Sequence, residues 1–159
     1  MKTNILNAII LSGLLIFTSC SKSEDGTNDT KFDYGSASFK LNGNTISDAK
    51  PYIGIFVDNG TNDNVLTITG ADSSETELEW KSNTTITKTL DSFSDAHYIN
   101  AAGKSYYATS GELSITDYHT GSDGIVYATG TFHFNAMASS GSDSVVISAG
   151  IIAKATNHL

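Results

Sequence analysis

The chain has 159 residues, with 17 Asp plus Glu against 9 Lys and no Arg, a formal charge of -8, 1 Cys and 1 Pro. That length suits one domain on the usual scale of ~100–200 residues. The acidic balance and the absence of Arg exclude a nucleic-acid partner, and a lone Cys excludes an intramolecular disulfide and any zinc site built from several thiolates.

Lys2 opens a positively charged start, residues 5–17 are apolar and nearly uncharged, and Thr18-Ser19 lead into Cys20. This is the layout of a secretory signal, and 13 apolar residues fall short of the ~20 a spanning helix needs. Thr18-Ser19-Cys20 resembles a relaxed lipobox of Bacteroidota lipoproteins. The resemblance implies a signal peptide over 1–19 and acylation of Cys20, with acyl chains each worth ~0.8 kcal/mol per buried CH₂. Loss of Lys2 leaves 8 Lys against 17 acids, about -9. Anionic lipid would repel such a body, so the acyl chains and not a basic patch must hold it to the membrane. Residues 20–31 carry no apolar side chain after Cys20 and are expected to be a disordered tether. Their Lys22-Ser23-Glu24-Asp25 resembles a surface-export signal of such lipoproteins. Lipid anchorage at the outer membrane, on the cell surface or the periplasmic face, is the expected location.

From Phe32 the period is two, and a single β domain is expected over 32–159. Asn42-Gly43 suits the positive φ angles of a type I′ turn, which sets Phe39 opposite Ile46. Pro51 is expected to start a strand, since it has no amide to donate, with Tyr52 to Val57 following. Residues 58–64 are rich in oxygen ligands but fail the EF-hand spacing at Asp63 and Thr69, and are expected to form a polar turn. Strands are then expected at 64–69, with Leu66 and Ile68 inward, and at 75–80, where Glu75, Glu77 and Glu79 alternate with Thr76, Leu78 and Trp80.

Thr84 to Leu90 has β-branched character, Asp91 to Ala96 reads as loop, and Tyr98-Ile99 and Tyr106-Tyr107 read as short apolar pieces. Clean alternation returns at Gly111 to Thr116. A polar turn from His119 to Gly124 is expected next, then a strand from Ile125 to Ala136 with a bulge at Gly130, and a last strand from Ser144 to Lys154. Nine to ten strands with short turns predict an all-β fold, an antiparallel β-sandwich or a flattened barrel.

Gly111-Glu112-Leu113-Ser114-Ile115-Thr116, Gly130-Thr131-Phe132-His133-Phe134-Asn135-Ala136 and Val145 to Ile151 together are similar to a pattern in small Bacteroidota lipoproteins of no assigned activity. Those chains repeat Gly-Thr-Phe-x-Phe-x-Ala and close on an aromatic, where this sequence has Ile152. The resemblance implies lipidation and an all-β fold, and transfers no catalytic residue.

No nucleophile elbow, zincin helix, P-loop or dinucleotide fingerprint occurs. His97, His119, His133 and His158 are scattered without metal-ligand spacing, so neither a metal nor a cofactor is expected, and no catalytic residue is assigned. His133 is expected to face solvent or line a barrel. Glu75, Glu77 and Glu79 stand ~6.6–7 Å apart on one strand face, near the carboxyl separation of an inverting glycosidase, but like charges in a row are expected to form a solvated face. Trp80 and the tyrosines at 52, 98, 106, 107, 118 and 127 offer rings for the core and for a glycan or protein ligand. The expected function is a lipid-anchored, non-catalytic binding or structural module of the cell envelope. The alternative is a small secreted hydrolase acting on glycan or peptide.

Overall fold

The structure, a computed structural model, describes residues 35–58 and 60–157. The signal peptide, Cys20, the tether and His158 lie outside the described residues. The strands are β1 Ser36–Leu41, β2 Asn44–Asp58, β3 Thr61–Thr69, β4 Glu75–Lys81, β5 Ile86–Thr89, β6 Ala96–Ile99, β7 Ser105–Thr120, β8 Val126–Ala138 and β9 Ser144–Thr156. Hydrogen bonding follows the order β5-β7-β6-β4-β3-β2-β1-β9-β8, and β8 pairs back onto β7. Eight strands therefore close a barrel, with β5 a further strand on the edge of β7. Of the two expected architectures, the barrel is the one formed. Closure removes the open edges that a sandwich would leave at β7 and β8.

Local chemistry explains the turns. Asn42 and Gly43 take φ of 49° and 86°, and Phe39 pairs with Ile46 across them as the two-residue loop requires. Asn42 also ties this hairpin to β9, its Oδ1 accepting from the Val146 amide at 2.8 Å. The oxygen-rich stretch forms the β2–β3 hairpin, with Asp58 opposite Thr61.

Three expectations need correction. Pro51 does not start a strand. It lies inside β2, just past Ala49, the last β2 residue that pairs with β1, and beside Lys50, where pairing with β3 begins. A missing amide is tolerated where a strand changes partners. Tyr106-Tyr107 and Gly111 to Thr116 are one strand and not two, because β7 runs without a break along β8. The polar turn begins later than expected, since His119 and Thr120 still pair with β8.

Barrel curvature comes from bulges. The β7–β8 register shifts between Ala108 and Ser110 and again between Ile115 and Asp117, and β8–β9 shifts twice as well. Thr109 Oγ1 donates to the Asn135 carbonyl and Thr116 Oγ1 to the Thr129 carbonyl, so each extra β7 residue is pinned by its own hydroxyl. On β9, Ala149 and Lys154 take the left-handed φ values of 50° and 61° at the two shifts. Such bulges bend and twist a sheet enough to close it. Gly111 serves the same packing by its lack of a side chain, since a Cβ there would stand 2.2 Å from the His133 carbonyl oxygen.

The interior is filled. Phe39, Ile53, Leu66, Leu78, Trp80, Leu113, Phe132, Phe134, Ile147 and Ile152 are buried from all around the ring. Eight strands give an interior just wide enough for side chains to pack it. Each large aliphatic side chain so buried contributes about 1.5–3 kcal/mol.

Candidate binding surface on the barrel wall

One end of the barrel is closed by polar side chains. Asn64 is fully buried, and its Nδ2 donates to the carbonyls of Ser82 at 2.9 Å and of Asn62 and Trp80 at 3.3 Å each. Tyr118 donates to Asn64 Oδ1 at 2.8 Å, accepts from Asn62 Nδ2 at 2.7 Å, and meets the Trp80 ring edge-on at 6.4 Å. Every polar atom of Asn64 is therefore used, which is how a buried amide escapes its desolvation cost. This cluster is a structural plug. Two other buried polar atoms, Thr76 Oγ1 and Trp80 Nε1, have no hydrogen-bond partner among the described residues.

Outside, strand pairing aligns Glu77 of β4, His97 of β6, Tyr107 of β7 and Met137 of β8 in one row across the wall. Their sequence neighbours Leu78, Tyr98, Tyr106 and Ala136 point inward and are buried, so the row faces solvent by simple alternation. Glu77 Oε2 meets His97 Nε2 at 3.1 Å, and the His97 ring lies 6.0 Å from that of Tyr107. Phe93 crowns the row. Its ring packs against Tyr107 at 5.1 Å and 75°, while the side chain stays 67% exposed.

Phe93 is held there by a turn cross-linked through Asp95. β5 and β6 both pair with the same edge of β7, and residues 90–95 loop out between them. Asp95 Oδ2 accepts from the Ser92 amide at 3.0 Å, Ser92 Oγ at 2.6 Å and the Asp91 amide at 3.3 Å. Lys88 turns toward the interior side of β5, where its Nζ meets Asp95 Oδ1 at 2.7 Å and donates to the Glu79 carbonyl at 2.8 Å. Burial pushes the Asp95 carboxyl up, but hydrogen bonds from Lys88 and Ser92 and the lysine's charge outweigh it and hold the group at about 2. An inward-facing lysine also guards a strand edge against foreign pairing.

The three glutamates of β4 share the outer face, as alternation required. They are not equivalent. Burial, then the nearby Asp63 charge, push Glu79 above the usual carboxylate range against the pull of Lys88, whereas Glu77 has His97. The other candidates are dispersed. His133 is exposed and sits opposite Glu112, which removes the barrel-lining alternative. His119 contacts Asp117 at 3.1 Å and stacks on Tyr127 at 5.3 Å, on an exposed part of the surface. Tyr98 and Tyr106 joined Trp80 in the core.

Sequence reasoning missed Phe93 and the pairing of His97 with Glu77. A lone aromatic inside Ser92-Phe93-Ser94-Asp95 was the available signal, since a turn of that composition has no use for a phenyl ring in its own folding. Among the described residues, no group of three or more His, Cys, Asp or Glu side chains is arranged to hold a metal ion.

A closed eight-stranded antiparallel barrel with a packed interior and a decorated outer wall is the class this geometry defines. The chain belongs to the family described as a domain of unknown function, DUF6252, whose model matches residues 47–156. No curated protein and no solved structure matches it.

Proposed function

We propose that this protein is a lipid-anchored binding module of the cell envelope, tethered through acyl chains on Cys20 and meeting its ligand on the outer wall of the barrel without chemistry. The observation that carries the binding part is Phe93, a ring kept two-thirds exposed by a turn shaped by a half-buried ion pair of Lys88 with Asp95 and by three further hydrogen bonds to the same carboxylate. Preorganised aromatic display lowers the entropy lost on binding. The packed interior supports the same reading, because it leaves the exterior to make contacts.

The anchor is tested by metabolic labelling of cells with a fatty acid. Label on the wild-type protein and none on Cys20→Ala is expected, and label that survives the substitution refutes the anchor. For the non-catalytic part, purified protein incubated with envelope glycans and peptides should leave them intact. Turnover abolished by Glu77→Gln, with unchanged unfolding, would establish the hydrolase instead.

A further inference from the structure

The geometry points to a partner for this wall, an extended basic polypeptide segment whose arginine side chains lie on Phe93 and Tyr107 and pair with the glutamates of β4. This rests on the binding-module reading and deepens it. Three observations converge.

The first is charge. Glu75, Glu77 and Glu79 run along β4, separated from Tyr107 by β6, and Asp91 stands two residues before Phe93 in sequence. Of the groups near them that can carry positive charge, Lys88 is turned in toward Asp95 and the Glu79 carbonyl, Lys81 is paired to Asp63 at 3.0 Å, and His97 meets Glu77 at 3.1 Å, which leaves the row with more acids than cations. Charge complementarity therefore selects a cationic partner.

The second is chemistry. An aromatic face next to a carboxylate is the environment a guanidinium fits, stacking on the ring while its N–H fork meets the carboxylate. Phe93 and Tyr107 supply ring surface and Met137 extends it on the next strand, while Glu77 supplies the acid from two strands away, across His97, which its Oε2 meets at 3.1 Å. A second copy of this chain is a poor occupant, because the chain has no Arg and carries a net -8. Anionic lipid is repelled for the same reason, and a neutral glycan gains nothing from the row of acids.

The third is spacing. The three glutamates alternate along β4, so their carboxylates recur every ~6.6–7 Å, the repeat of side chains on one face of an extended strand. A partner in the extended conformation, with basic residues at every second position, matches that repeat without adjustment.

The test uses the full chain in non-ionic detergent and a fluorescent, amidated peptide alternating arginine with threonine, followed by anisotropy. Binding that weakens as salt rises is expected, together with a loss of about tenfold or more in Phe93→Ala and in the double variant Glu77→Gln, Glu79→Gln. Unchanged Trp80 fluorescence in each variant would show that the barrel is intact. Equal binding of a peptide with glutamate in place of arginine, equal binding by the variants, or no binding would overturn the inference. A neutral cello-oligosaccharide bound in a Phe93-dependent way, with the arginine peptide ignored, would overturn it too while leaving the binding-module reading standing. Cleavage of either probe would overturn both.

Discussion

Replacing Asp95 by Asn separates the turn that displays Phe93 from the barrel that carries it. The carboxylate accepts three hydrogen bonds through Oδ2 and holds the Lys88 ammonium through Oδ1. Asparagine keeps one oxygen and turns N–H donors toward either the lysine or the Ser92 amide. The carboxyl group is held at about 2 against an ordinary 3.8, and at ~1.4 kcal/mol per pH unit the depression is worth about 2 kcal/mol of stability. Because the folded-state value is the lower one, that contribution is complete above pH 3.8 and is lost as the pH falls toward 2. The assay is urea unfolding followed by Trp80, the one tryptophan and fully buried, at intervals from neutral pH to about 2. Near neutrality Asp95→Asn should lower the midpoint by about 1 M urea at an m-value of roughly 2 kcal/mol/M. Its stability should also fall less steeply than wild type on acidification, so that the two curves approach one another near pH 2. Parallel curves over the whole range would refute the reasoning, since the deficit would then owe nothing to the ionised carboxylate.

The remaining predictions concern the closure of the barrel. Gly111→Ala should cost about 3 kcal/mol or more in the same unfolding assay, because its Cβ would meet the His133 carbonyl at 2.2 Å and the Phe134 Cα at 2.6 Å, both backbone atoms that cannot swing aside. A loss under ~1 kcal/mol would mean the β7–β8 ladder is looser than described. Asn64→Ala should destabilise by about 2–3 kcal/mol, through carbonyls left unpaired at the plugged end, and Tyr118→Phe by about 1 kcal/mol. Since Tyr118 acts on Asn64 directly, the double variant should be less destabilised than the sum of the two. Strict additivity would show that the hydrogen bond between them contributes nothing.

A strand period assigns each side chain to a face and no further. That was enough to read, from the sequence by itself, the all-β class, the inward path of Leu66, Ile68, Leu78 and Trp80, the outward path of the β4 glutamates, and the Asn42-Gly43 hairpin with Phe39 opposite Ile46. These are local matters, decided by alternation and by the φ angles that Asn and Gly tolerate. Which strands become neighbours is decided by long-range pairing, and a period of two says nothing about it. Hence the continuity of β7, the passage of β2 through Pro51 and the return of β8 onto β7 emerged only in three dimensions, where bulges at residues such as Ala149 and Lys154 set how far the sheet coils. The wall site depends on the same choice. Glu77, His97 and Tyr107 are spread over 31 positions of the chain and meet because β6 lies between β4 and β7. Phe93 joins them because Lys88 and Asp95 fold its turn against that edge, and an ion pair across a loop leaves no periodic trace in the residues that make it.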